Sequence, residues 1–308
     1  MTRNVTAAGY LNINKPIGMT SAGVVGVVKR LTHARKVGHG GTLDPLATGV
    51  LPICIGAATR FADSILLGTK AYKVTVRLGT STSTFDTEGE TTQESDASHI
   101  SEEHVLAVIG RFRGVITQVP PVYSAIKQKG RRLYDMARSG LVVQAEPRQV
   151  EVHRLELIRW NWPEFDLHLE CGHGFYARSL ANDIGKALGT ASHMSALVRT
   201  QAGMFELNES ITVADFESVA TTGSWRDHLL PIDWTLQHLR SVELDKPAVR
   251  AVRNGQVIAI PHNSPSDAEF GPGEHIRAYD DSRAFIAELI CTEDGLRLRS
   301  FRLAGTET

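Results

Sequence analysis

Between Lys36 and Gly49 the chain reads KVGHGGTLDPLATG, and a single carboxylate stands in it: Asp44, set directly before Pro45. Glycines at Gly38, Gly40 and Gly41 allow backbone conformations and close approaches that other residues resist. Pro45 pushes Asp44 out of the helical region. The stretch reads as a stiff loop that presents one acid, a plausible place for chemistry. An aspartate so placed can instead close an Asx turn or cap a helix, and local sequence leaves both readings open. A lone carboxylate can attack covalently or abstract a proton. Nucleotide-driven or redox chemistry finds no support: GHGGT lacks the Gly-Lys-Ser/Thr of a phosphate loop, and no dinucleotide fingerprint occurs. The three cysteines, Cys54, Cys171 and Cys291, are scattered, and Cys171-Gly172-His173 has no second pair of metal ligands.

Other groups are defined by the elements that must carry them. KAYKVTVRLGT (70–80) alternates as a strand, with Tyr72, Val74, Val76 and Leu78 on one face and Lys73, Thr75 and Arg77 on the other. Tyr72 is then a core tyrosine with a bonded hydroxyl, or a ring on which an unpaired base stacks. FYARSLANDIGKALG reads as a helix closed by Gly189, with Tyr176 and Arg178 at its start. A cation at a helix N-terminus opposes the dipole, so Arg178 is expected to have an acidic partner.

Around these, Tyr10–Asn14 alternates as a strand and turns at KPIGMTS into a helix capped by Thr20 or Ser21 and lined by Val24, Val27, Val28 and Leu31. Residues 51–55 (LPICI) form a further strand, and a short helical stretch runs on to Leu67. Residues 81–100, acidic and poor in apolar side chains, read as a loop or lobe, and a helix begins after Ser101. GRRLYDMARSG is an amphipathic helix ending at Gly140. Strands are expected over 149–159 and 165–171 and again from His193, and a helix opens at Thr212. After about residue 240 the texture changes to a short helix over 246–253 and several short strands, divided by a Pro/Gly/Ser-rich loop at 261–273.

With 308 residues, 42% apolar and 22% charged, the chain suits a large domain plus a small one. No run of eighteen apolar residues is present, the N-terminus lacks the apolar core of a signal peptide, and the odd cysteine count fits a reducing cytoplasm. A net charge of −1 hides segregation. Basic runs lie at 29–36, at 127–138 and around Arg297, Arg299 and Arg302, whereas 85–103 holds seven acids and no Lys or Arg. Only the basic face need meet phosphate.

HGGTLDPLATG resembles the active-site motif of the TruB family, the tRNA pseudouridine-55 synthases. NKPxGxTS at 14–21, YSAxK ending at Lys127, and GxYxR ending at Arg178 match that family in order, and the resemblance spans roughly 9–240. It implies an α+β pseudouridine synthase fold: a largely antiparallel mixed sheet flanked by helices and loops, then a small β-barrel-like domain. The implied division is a catalytic domain over 1–240 and a PUA-like RNA-binding domain over 241–308. Uridine would be isomerised to pseudouridine in the T-loop of tRNA without any cofactor. By the same resemblance Asp44 is the nucleophile, Arg178 its ion-pair partner, and Tyr72 a catalytic ring beside it. Tyr176 faces Tyr72 across the pocket, Leu197 is its apolar wall, and His39 fills the space a flipped base leaves. Lys127 adds charge near RNA, and Lys15 has no chemical role. The T-stem-loop would bind the catalytic domain and the acceptor stem the C-terminal one, in the cytoplasm, with no obligate protein partner. The rival expectations are a non-catalytic RNA-folding chaperone and a synthase for another structured RNA.

Overall fold

The computed structural model describes residues 7–122, 145–261, 270–293 and 297–304, and the backbone alone of 127–128 and 131–132. β1 (Gly9–Lys15) turns into α1 (Ser21–Thr32), whose N-cap is Thr20: its hydroxyl accepts the Gly23 N–H. β2 (Val37–His39) and β3 (Thr48–Ile55) flank the Asp44 loop. α2 (Ala62–Leu66), β4 (Lys70–Leu78) and a hairpin of β5 (Thr80–Thr82) and β6 (Thr91–Glu94) follow. Next come α3 (Glu102–Ile109), β7 (Gly114–Gln118) and the short paired strands β8 (Lys127–Gln128) and β9 (Arg131–Arg132). β10 (Arg148–Asn161) and β11 (Glu164–Cys171) form a long antiparallel pair before α4 (Ala177–Leu188) and β12 (Ser192–Ala202). β13 (Phe205–Glu206), β14 (Ile211–Thr212) and α5 (Val213–Thr222) complete the larger part.

Among the described residues ten strands make one sheet, in the order β14-β1-β3-β12-β4-β11-β10-β7, with β13 joined to β12 and β2 to β3. Two pairings are parallel, β1 with β14 and β3 with β12, and the others are antiparallel. The expected mixed, largely antiparallel sheet is therefore present. β12, although late in the chain, lies between β3 and β4. Gly49 permits this: its φ is 99°, and a Cβ there would come 2.2 Å from the Arg199 carbonyl oxygen, so any other residue would pry β12 away.

One apolar core joins α1, α3, α4 and α5 to the sheet through Val24, Val28, Val105, Ile109, Leu180, Ile184 and Phe216 against Leu11, Val74, Val76 and Leu167. Burying each such side chain is worth about 1.5–3 kcal/mol. Because β1 alternates, Tyr10 points the other way, into a second cluster with Val50, Phe61, Ile65 and Phe205. The outer face of β4 and β11 is ionic instead: Lys73 and Arg159 reach Asp166 at 2.9 and 2.6 Å, and the Thr75 hydroxyl donates to it at 2.8 Å. Against the effect of burial, these partners hold the Asp166 carboxyl down at about 2. The single apolar face expected for β4 is thus incomplete: Thr75 is buried under this ionic network, and Ala71 on the same side is buried too.

The acidic stretch expected as a loop is organised by the β5–β6 hairpin, which buries Asp86. The helix expected over 130–140 is not formed at Arg131–Arg132, which pair with Lys127–Gln128 as β9, and the rest of it lies outside the described residues. Beyond residue 240, β15 (Arg240–Glu243), α6 (Lys246–Arg253), β16 (Ile258–Ala259), β17 (His275–Tyr279), β18 (Phe285–Cys291) and β19 (Arg297–Leu303) follow. Their five strands curl in the order β15-β17-β18-β19-β16 around a core of Val242, Val252, Ile276, Leu289 and Leu298. Phe61 meets Phe285 edge-on at 5.8 Å, and the Tyr279 hydroxyl donates to Asp233, which ties this sheet to the larger one.

Candidate active site

Asp44 opens a turn that closes when the Ala47 N–H donates to its carbonyl at 3.1 Å, with Pro45 in the position where a fixed φ suits the turn. Two neighbours brace that turn. Ser21 brackets Leu43, its hydroxyl donating to the Leu43 carbonyl at 3.0 Å and accepting the Leu43 N–H at 2.8 Å. Lys15, fully buried, donates through Nζ to the carbonyls of Pro16, Met19 and Pro45, and Gly18 N–H also binds Pro45 O at 2.8 Å. Burial pulls the Lys15 ammonium down to about 8, although Asp44 and Glu88 draw it upward. The loop glycines divide the remaining work. Gly41 takes φ 141°, and Gly40 has no room for a side chain, since a Cβ would lie 2.7 Å from Ile65.

α4 points Arg178 at this turn. Its Nε lies 3.0 Å from Asp44 Oδ2 and 3.6 Å from Asp86 Oδ2, and Nη1 donates to the Thr84 carbonyl at 3.4 Å. The helix-dipole argument asked for one acid beside Arg178, and two are there. Asp86 is held in place by the Thr84 hydroxyl and the Glu88 N–H. Some 34% of the Asp44 side chain remains open, against 7% for Arg178 and 2% for Asp86, so of the three it is Asp44 that a substrate can reach. Burial pushes the Asp44 carboxyl above its ordinary range; Arg178 draws it back, Asp86 pushes it up again, and Lys15 lowers it. The ion pair therefore offsets desolvation only in part.

Tyr72 lies on the apolar face of β4, directly opposite Arg199 of β12. Burial raises its phenol, while the charge of the neighbouring Arg199 guanidinium pulls it back down. Leu197, two residues before Arg199 on β12, is buried opposite Val74 in the main core. His39 Nδ1 accepts the Gly41 N–H at 3.3 Å. Burial, then the nearby Arg199 charge, lowers its imidazole, which favours a neutral ring whose proton sits on Nε2. Tyr176 is the N-cap residue of α4. Gln118 grips its backbone through both ends of its amide, and the Arg148 guanidinium lies over its ring at 4.9 Å. Lys127 is known only by its backbone, opposite Arg132, and its side chain lies outside the described residues. The structure thus joins Asp44 to Arg178 directly and sets Tyr72 and His39 about Arg199. Asp86, Arg199 and Glu88 were not singled out from the sequence; Arg199 alone left a signal, sharing the face of Leu197 two residues on. A hollow of about 490 Å³ lined by Ala71, His168, Thr200 and Gln201 opens on the opposite face of β4 and β12, away from this cluster.

The family model of TruB family pseudouridylate synthases (N-terminal domain) matches residues 29–177, and that of the tRNA pseudouridylate synthase B C-terminal domain matches 178–237. A tRNA pseudouridine synthase B of Dehalococcoides mccartyi is 39% identical over 287 residues, 93% of each chain. The chain belongs to the TruB family. A second member, from Clostridium perfringens, is 38% identical over 94% of this chain and 97% of its own. Among solved structures, a chain of a Cbf5-Nop10-Gar1 complex superposes with a TM-score of 0.71 at 25% identity, covering 97% of this chain and 85% of that one. As a TruB-family pseudouridine synthase the protein is an isomerase: it breaks the N-glycosidic bond of uridine and rejoins the base through carbon.

Proposed function

We propose that this synthase acts on tRNA, at uridine 55 of the T-loop, with Asp44 as the nucleophile. The relatives' shared name, tRNA pseudouridine synthase B, favours the substrate. The observation that carries the reading is the Arg178–Asp44 pair: a cation almost wholly buried, and an acid still one-third exposed. A uridine in a folded loop must swing out, at a cost of a few kcal/mol. Stacking on Tyr72 returns about 1–3 kcal/mol. Tyr176 closes the pocket opposite Tyr72, Leu197 walls its apolar side, and neutral His39 fills the gap left in the stack. Lys127 adds charge along the RNA path, as the family motif implies. The carboxylate attacks and the N-glycosidic bond breaks. The base turns, C5 bonds to the sugar carbon as the carboxylate is released, and a proton is lost from C5 and gained at N1, with no cofactor drawn in. A tRNA substrate implies a cytoplasmic site of action.

The deciding experiment incubates the protein with unmodified tRNA, without added metal or nucleotide, and maps pseudouridine along it. Conversion confined to position 55 is expected; bound but unaltered tRNA would favour the chaperone reading instead.

The domain beyond residue 240, which we read as PUA-like, meets the acceptor stem. Arg250 and Arg299 are exposed on α6 and β19. Arg250→Gln with Arg299→Gln should weaken tRNA binding and flatten the slope of log affinity against log salt by about one per lost phosphate contact, leaving kcat unchanged. An unaltered slope removes these two residues from the RNA surface.

A further inference from the structure

The first turn of α4 carries Arg178 and is weak by its own composition. Its residues, Ala177, Arg178 and Ser179, include no acid, and the N-cap residue Tyr176 offers no side-chain cap. A cation there is opposed by the helix dipole, and open N–H groups leave such a turn free to fray. The turn is pinned instead from the end of β7. Gln118, 1% exposed, accepts the Tyr176 N–H on Oε1 at 2.8 Å and donates through Nε2 to the Tyr176 carbonyl at 3.0 Å. One residue on, the Val119 carbonyl accepts the Ser179 hydroxyl at 2.7 Å. Arg148, opposite Gln118 in register, donates to the Gly174 carbonyl just before the helix. Arg178 therefore lies between two anchors, one on each side of it along the chain.

The acid of the pair is held from elsewhere. Lys15 and Ser21 brace the Asp44 turn, and buried Arg199 donates to the Gly41 and Thr42 carbonyls at 3.0 and 3.5 Å. Loosening the pin from β7 thus moves the guanidinium and leaves the carboxylate where it is. An amide suits this work: it sets a donor and an acceptor side by side, as a neighbouring strand would, and brings no charge near the ion pair. We propose that Gln118 is a positioning residue for pseudouridine formation: by gripping both backbone groups of Tyr176, it fixes the start of α4 and holds Arg178 against Asp44. The inference rests on the reading of Asp44 as the reacting acid.

The test compares Gln118→Met, Arg178→Met and the double variant, read as single-turnover rate on unmodified tRNA across pH, with tRNA affinity beside it. Methionine keeps the length of the side chain and loses both bonds. Gln118 is too deeply buried to meet RNA, so Gln118→Met should bind tRNA as the parent does. It should lose on the order of 10–100-fold in rate, up to the cost of a misplacement of about 1 Å. Asp44 is faced by Arg178 from α4, by Asp86 and Glu88 from the β5–β6 hairpin and by Lys15 from β1. Of these only Arg178 shifts, and as the cation withdraws the carboxyl keeps its proton to a higher pH. The acid limb should rise by about 0.5–1 pH unit, a part of the roughly 1–3 that an adjacent opposite charge supplies. In the Arg178→Met background the same change should leave the limb in place. A limb that Arg178→Met moves and Gln118→Met does not would make Gln118 a scaffold for the fold alone and overturn the proposal, as would equal shifts in both backgrounds. Should Gln118→Met not fold, Ser179→Ala, which removes the second anchor, runs the same comparison with the same expected dependence on Arg178. Asp44→Asn is measured alongside: parent-like turnover there overturns the reading of the acid and this inference with it, whereas its inactivity with an unmoved limb in Gln118→Met sinks this inference alone.

Discussion

Asp44→Asn protein should bind unmodified tRNA with the affinity of the parent and form no measurable pseudouridine, a fall of at least about 10⁴ in kcat if the carboxylate is the nucleophile. The amide keeps the size of the side chain and one oxygen to accept from Arg178 Nε, so the cleft keeps its shape. It has no anion with which to attack carbon or take a proton. Folding should survive, because Arg178 retains Asp86 at 3.6 Å and the Thr84 carbonyl at 3.4 Å. Digestion of the tRNA and chromatographic counting of pseudouridine read the result, with a binding curve beside it. Parent-like turnover would remove Asp44 from the reaction.

Arg178→Met has a second large effect, with a characteristic pH signature. Burial already holds the Asp44 proton on to a higher pH than usual, and Arg178 is the strongest influence in the other direction. With the cation gone, Asp44 is left with Asp86 pushing the same way as burial and only Lys15 opposing them. The carboxyl pKa therefore rises. Since the reaction needs the ionised form, the acid limb of the pH–rate profile moves to higher pH, and activity is lost first at the acid end. At neutral pH the rate should fall about 10²–10³-fold, the usual effect of removing one preorganised charge from a reacting centre. Stability falls as well, since buried Asp86 loses its cation; breaking such a pair costs roughly 3–5 kcal/mol. Arg178→Lys should recover part of the pH shift. An acid limb that stays put in Arg178→Met would show that the guanidinium does not tune Asp44.

How much of this could be read beforehand depended on how local the determinants were. The Asp44 loop, the face of Tyr72 on β4, the Thr20 cap and the Gly189 end of α4 are each set by a few neighbouring residues, and the structure carries all of them. Asp86 was hidden in a stretch whose composition says solvent. Its burial depends on Arg178, which is distant in sequence, and no local rule encodes that meeting. Arg199 was hidden differently. A charged side chain is expected to turn outward, yet Arg199 shares the inward face of Leu197, and its burial is seen only once β12 is paired along both edges, with β3 and β4. The ionic layer on β4 and β11 likewise needs two strands in register before Asp166 can be seen to be enclosed.

The place of β12 between β3 and β4 bears on how the enzyme comes into being on the ribosome. Translation delivers both outer strands long before the one that welds them, so the nascent chain carries two part-sheets with bare edges, open to wrong partners and to chaperones that cover such edges. Asp44 emerges early and waits for both of its arginines, Arg178 as a direct partner and Arg199 beneath its loop. A product cut short before Ser192 would hold the acid yet have no working centre, and its unpaired strand edges would mark it for aggregation or degradation.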